Sequence, residues 1–131
     1  MSKALTFTIP PDLWLSANRQ IPNHGLRRRL IDGIHDIAYA ELRKAGIKPI
    51  AGPVHADWTI RYPKGVRRDK GDATNAHPTT KAILDALVTA GVLEDDGPLH
   101  VVAETFRRGP NLDVPRLHEI HLVLTDQTVP F

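Results

Sequence analysis

Between Val54 and Tyr62 the sequence VHADWTIRY alternates without a fault. Val54, Ala56, Trp58, Ile60 and Tyr62 fall on one side, and His55, Asp57, Thr59 and Arg61 on the other. Successive side chains of an extended strand point to opposite faces, so this pattern predicts a strand with one face buried and one polar. Such a strand is stable only inside a sheet that is covered on its apolar side, and the rest of the chain must supply both partners and cover.

The partners are legible. Leu5 to Ile9, LTFTI, is a short run of strand formers stopped by Pro10 and Pro11; Leu99 to Phe106 and Leu117 to Leu124 read as two more strands, joined by the loop RRGPNLDVPR. The cover comes from two helices. From Leu26 to Ala45 the residues Leu26, Leu30, Ile34, Ile37, Ala38, Tyr39 and Leu42 recur three or four apart, with Gly46 beyond the end. A shorter helix begins at Pro78, shows Ile83, Leu84, Leu87 and Val88 on one face, and stops at Gly91. The expected fold is α+β, a small mixed sheet of four or five strands packed against two main helices. The expected order is strand, helix, strand, helix, strand, strand.

With 131 residues the chain has the length of one domain, 1–131. It contains no cysteine, which excludes disulfides and thiolate metal sites and suits a reducing, cytoplasmic setting. No apolar run approaches the ~20 residues a membrane helix needs, so no membrane partner is expected. The formal net charge of +2 hides an asymmetry. Residues 1–68 carry twelve Lys or Arg against five Asp or Glu, a net of +7, and residues 69–131 carry five against ten, a net of −5. A basic half beside an acidic half suits a protein that grips a polyanion with one part and positions a cation with the other.

The chemistry concentrates between Arg67 and Asp96, RRDKGDATNAHPTTKAILDALVTAGVLEDD. A basic loop (Arg67, Arg68, Lys70) carries Asp69 and Asp72, the short helix follows, and the return ends in Asp95 and Asp96. Clustered carboxylates from separate places suit a hard divalent ion: Mg²⁺, with Mn²⁺ as the alternative. A helix of about thirteen residues advances ~20 Å, and six extended residues recover about the same length. A strand from Val92 onward would therefore return Asp95 and Asp96 toward Asp72. Lys81 and Asp85, four apart, should share one edge of the helix.

These residues resemble the RusA family of Holliday-junction resolvases: Asp72 three before Asn75, then Lys81, Asp85, Leu87, Gly91 and the closing Asp95–Asp96. The run N-x-x-P-T-x-K, Asn75 to Lys81, is similar to a subgroup with a longer loop, and about thirty residues carry the match. Two features depart from the family. Thr74 stands where many members have a second aspartate, and Asp72 follows Gly71 rather than an arginine, so Asp69, after Arg68, is the alternative equivalent of the first aspartate. The resemblance implies a Mg²⁺-dependent endodeoxyribonuclease that resolves four-way DNA junctions in recombination and repair, acting as a homodimer. It assigns catalysis to Asp72, Asp96 and Lys81, and metal binding to Asp72, Asp95 and Asp96. Asp85 would orient Lys81. A non-catalytic protein for branched DNA and a metal-dependent nuclease for other DNA structures are the alternatives.

Phosphate contacts are expected from Arg67, Arg68 and Lys70, from Asn18 and Arg19 after the first strand, and from Arg27, Arg28 and Arg29. The last three open a helix with positive charge where its dipole favours negative, a local misfit that can mark a binding surface. Seven histidines lack any zinc-site spacing, and His118 and His121 should face opposite ways. His77, between Asn75 and Pro78, is a further candidate ligand or proton carrier.

Overall fold

The computed structural model describes residues 2–127. Its elements are β1 (Ser2–Ile9), α1 (His24–Ala45), β2 (Val54–Arg61), a 3₁₀ turn (Ala73–Ala76), α2 (His77–Thr89), β3 (Val101–Arg108) and β4 (His118–Asp126). The four strands form one sheet in the order β1-β4-β2-β3. β4 runs antiparallel to both β1 and β2, whereas β3 runs parallel to β2 along the far edge. The α+β expectation holds, with four strands and the expected element order.

The fully buried Val54, Ala56, Trp58 and Ile60 of β2 meet Leu5, Phe7 and Ile9 of β1 and Ile120, Leu122 and Leu124 of β4 in one core. The two helices cover this face. α1 buries Leu30, Ile34, Ala38 and Leu42, a stripe of strict four-residue spacing. Its Asn23 side chain accepts from the Leu26 amide at 3.0 Å, and Gly46 ends it in the left-handed conformation, φ 63°. α2 is buried more widely, from Thr79 to Leu87: it packs against α1, and its buried side chains join the same core as those of the strands.

Two sequence expectations need correction. Val92 to His100 is a series of turns, not a strand: Val92 and Leu93 fold back onto the Leu87 carbonyl, and Gly97 O accepts from both His100 and Val101, each at 2.9 Å. β3 therefore starts at Val101, and Leu99 is 81% exposed. The strands joined by the RRGPNLDVPR loop, β3 and β4, are separated in the sheet by β2.

β2, α2 and β3 form a crossover unit. Parallel neighbours need a return path, so α2 must run antiparallel to both strands. Its first turn therefore lies over the C-terminal end of β3, beside the loop that leaves β2.

Candidate functional site

The loop between β2 and α2 is held from below. Tyr62, buried at the end of β2, donates its hydroxyl to the Asp72 carbonyl at 2.8 Å. Gly71 precedes it at φ 73°, and a Cβ there would lie 2.8 Å from the Tyr62 ring, so the close approach admits only glycine. Arg108 of β3 completes the clamp. It donates to Gly71 O at 3.1 Å, to Arg67 O at 3.4 Å and to Asn111 Oδ1 at 2.8 Å, and its guanidinium lies 5.2 Å from the Tyr62 ring centroid. Asn111 in turn donates to Val66 O at 2.7 Å. Burial pushes the Tyr62 hydroxyl pKa up, Arg108 opposes the rise, and the Asp72 charge adds to it.

A second loop, after β1, is stitched to the same place. Ala17 N donates to Asn75 O at 2.9 Å, and the buried Thr79 hydroxyl bonds both the amide and the carbonyl of Leu15. Asn18 and Arg19 are thereby brought beside the Asp72–Asn75 turn, both exposed. Behind them Trp14 stacks on His118, centroids 3.7 Å apart and planes 5° from parallel, with Tyr62 edge-on to both.

On the open side of α2, Lys81 binds two carboxylates. Its ammonium donates to Asp85 Oδ1 at 2.8 Å and to Asp96 Oδ2. The hydrogen bonds to Asp85 and then Asp96 hold the Lys81 pKa above its usual value, and Lys81 holds the Asp96 carboxyl below the carboxylate range. Asp95 serves a different purpose, because its Oδ1 caps the Asp96 amide at 2.8 Å and fixes the turn that presents Asp96. Arg27 of α1 joins His77, Lys81 and Asp85 around a cleft of about 350 Å³. The same Arg27 lines a neighbouring hollow with Arg19 and His24.

The other basic candidates lie on the surface. Arg67 pairs with Asp69 at 2.8 Å, both largely exposed, and Arg68 and Lys70 are exposed beside them. Arg28 stands 3.9 Å from Asp32, and Arg29 is exposed. Asp72 leads into the 3₁₀ turn with no capping bond from its side chain. The Asp96 carboxylate answers to Lys81 and Asp85 instead.

Among the described residues, no three His, Asp or Glu side chains are gathered as a group that could hold a metal ion. The donor chemistry still fits Mg²⁺ in a restricted sense. This ion keeps several waters and is commonly held by one or two carboxylates together with substrate phosphate, not by a full protein cage.

Two residues that sequence reasoning passed over belong here: Arg108, described above, and Glu104. A bulge in β3 shifts the register after Val101, so Val54 pairs with Val101, His55 with Ala103, and Ala56 with Glu104. Unbroken alternation from the buried Val101 would turn Ala103 and Thr105 to the helix side; the extra residue turns Glu104, Phe106 and Arg108 there instead. Glu104 as a whole remains exposed, but burial of its carboxyl end raises its pKa. His77, Lys81 and the Trp58 N–H pull it back down, and Asp96 raises it further. No local signal in VVAETFRR announces the bulge. Compared with known proteins, the chain matches no family model and no curated protein.

Proposed function

We propose that this chain is a divalent-cation-dependent endonuclease of the RusA type, hydrolysing phosphodiester bonds of four-way DNA junctions as a homodimer. The observation that carries the reading is the Lys81 ammonium held between Asp85 and Asp96 at the mouth of a cleft that also contains Arg27 and His77. Phosphodiester hydrolysis needs positive groups fixed where the phosphate charge grows, and carboxylates that hold a cation in the same place. Here one helix face offers both.

Arg27 and Lys81 would orient the phosphate from the α1 and α2 sides, and Asp85 keeps Lys81 extended into the cleft. Asn18, Arg19, Arg28, Arg29, Arg67, Arg68 and Lys70 would carry flanking phosphates, contacts that position a duplex arm without reading its bases. Asp96, presented by the turn that Asp95 caps and assisted by Asp72, would hold Mg²⁺, which when bound polarises the phosphate and lowers the pKa of a water. A two-fold dimer suits a four-way junction because its two scissile strands are themselves related by two-fold symmetry.

A second reading, a protein that binds branched DNA without cutting it, is favoured by the absence of three gathered metal-holding side chains among the described residues. One experiment separates the two. Wild-type protein is incubated with a four-way junction or a linear duplex, with and without Mg²⁺, beside Asp96→Asn, Asp72→Asn and Asp69→Asn. The nuclease reading expects cleavage of the junction in Mg²⁺ only, lost in Asp96→Asn and Asp72→Asn with binding retained, and kept in Asp69→Asn. Tight junction binding with no cleavage under any condition would establish the second reading.

A further inference from the structure

Arg27 stands where two hollows meet. With His77, Lys81 and Asp85 it lines the cleft of about 350 Å³, and with Arg19, Gln20, Ile21, Pro22 and His24 it lines a hollow of about 440 Å³. The two differ in charge. The cleft contains the Asp85 carboxylate, held by Lys81, with Asp96 bound to the same ammonium. The hollow is lined by two guanidiniums, an imidazole and a carboxamide, with no carboxylate among the described residues that form it.

These basic groups are not consumed within the protein. Arg28, Arg61, Arg67 and Arg107 each pair with an acidic side chain, whereas among the described residues neither Arg19 nor Arg27 does. The Arg19 side chain makes one long bond, 3.4 Å from Nη1 to Trp14 O, which leaves its other donors for a further partner. Asn23 takes the Leu26 amide on Oδ1 and the Arg27 amide on its backbone carbonyl, each at 3.0 Å. Those two amides at the start of α1 are thereby satisfied, and recognition falls to the side chains.

The hollow is also fixed in place. Arg19 N bonds Ser16 O at 3.0 Å, and Ala17 N is tied to Asn75 O at 2.9 Å, beside the start of α2. His24 and Arg27, three apart on α1, share one face of that helix. A guanidinium presents a planar fork of donors that matches phosphate oxygens, and two of them with no acid between select an anion over a cation.

We propose that this hollow is a second phosphate subsite, which takes the backbone phosphate next to the one in the Lys81 cleft on the same DNA strand, with Arg27 between them. This rests on the nuclease reading for the first phosphate and deepens it by naming where the strand continues. One strand of a duplex carries a phosphate every ~3.4 Å of axis, so hollows joined by one side chain lie within reach of successive phosphates. The cleft, with its carboxylates, takes a phosphate together with a cation. The hollow takes a phosphate alone, so its contribution persists without Mg²⁺.

The test measures binding to a fluorescent four-way junction by anisotropy. Wild type, Arg19→Ala, Lys81→Ala and, at the far end of α1, the control Arg43→Ala are titrated in EDTA over a range of KCl, each variant being checked as folded by circular dichroism. The junction is then remade with single phosphates replaced by neutral methylphosphonate, and binding is repeated with Ca²⁺ as the divalent ion. The proposal expects Arg19→Ala to bind roughly tenfold more weakly in EDTA, with its salt slope reduced by about 0.9 and the control unchanged. One methylphosphonate should weaken wild type and leave Arg19→Ala no weaker than before, and its neighbour on the same strand should behave likewise toward Lys81→Ala. An unchanged slope in a folded Arg19→Ala overturns the proposal, as do matched positions for Arg19 and Lys81 that are not adjacent. Adjacent matched positions in a protein that cuts no junction sustain it while refuting the nuclease reading. Cleavage in Mg²⁺ by a protein whose Arg19→Ala variant binds as wild type refutes this inference alone.

Discussion

Arg108→Ala should free the loop that carries Asp72 without unfolding the protein. The side chain makes bonds of 3.1 Å to Gly71 O and 2.8 Å to Asn111 Oδ1, a longer one of 3.4 Å to Arg67 O, and a cation–π contact at 5.2 Å. Hydrogen bonds from a charged donor are worth about 1.5–3 kcal/mol each, and the 3.4 Å bond lies beyond the favourable range and adds little. The guanidinium is partly exposed, so water replaces some of what is lost, and the net is about 2–4 kcal/mol of local stability. The other end of the loop is pinned by Tyr62 and survives. The cost therefore appears as local opening more than as a loss of global stability. Amide exchange by NMR reads this, at Lys70, whose N–H binds Arg67 O, and Asn75, whose N–H binds Asp72 O. Both should exchange roughly 30- to 1000-fold faster, while amides in the β1–β4 ladder change little. Arg108→Lys should recover only a fraction, since an ammonium cannot span three acceptors as a fork does. Unchanged exchange at both amides would show that the clamp contributes nothing to the loop.

Gly71→Ala should cost at least about 1–2 kcal/mol, because it puts a side chain at φ 73° against the Tyr62 ring; chemical denaturation checks it. Replacing Arg27, Arg28 and Arg29 by alanine should flatten the salt dependence of junction affinity by about 0.9 per lost phosphate contact, most of it from Arg27 in the cleft. A salt titration with an unchanged slope would remove them from the interface. Desolvation beside Trp14 pushes the His118 pKa down to about 4, from 6.5 in the unfolded chain. Between these values the unfolded state binds more protons, so stability should fall as pH drops from about 6.5 toward 4 and level off below. At about 1.36 kcal/mol per unit the ceiling is ~3.4 kcal/mol, and partial exposure reduces this to roughly 1–2 kcal/mol. Urea melts of His118→Phe should lack that component.

Elements whose periodicity is set by one buried face were readable in advance. β2 alternates because only its helix side is dry, and α1 shows its stripe because only one side packs. The Lys81–Asp85 pair was readable for a related reason, as four-residue spacing on a helix is nearly a statement of contact. Asp96 was expected to return toward Asp72 on an extended strand; it binds Lys81 of α2, carried there by turns hung on Leu87 O and Gly97 O. The positions of Glu104 and Arg108 were hidden. Each depends on a bulge and on β3 lying parallel to β2, and both are properties of the assembled sheet.

The placement of β3 at the sheet margin bears on how the molecule behaves in concentrated solution. One side of its backbone is bonded to β2, and among the described residues the sheet order places no strand on the other side. An open margin of this kind invites a neighbouring molecule to add a strand, and charged side chains are the usual deterrent. Along β3 that deterrent is supplied by Glu104, Arg107 and Arg108, two of which also build the site. Replacing them with apolar residues would therefore expose the protein to edge-to-edge aggregation, whatever it did to the chemistry.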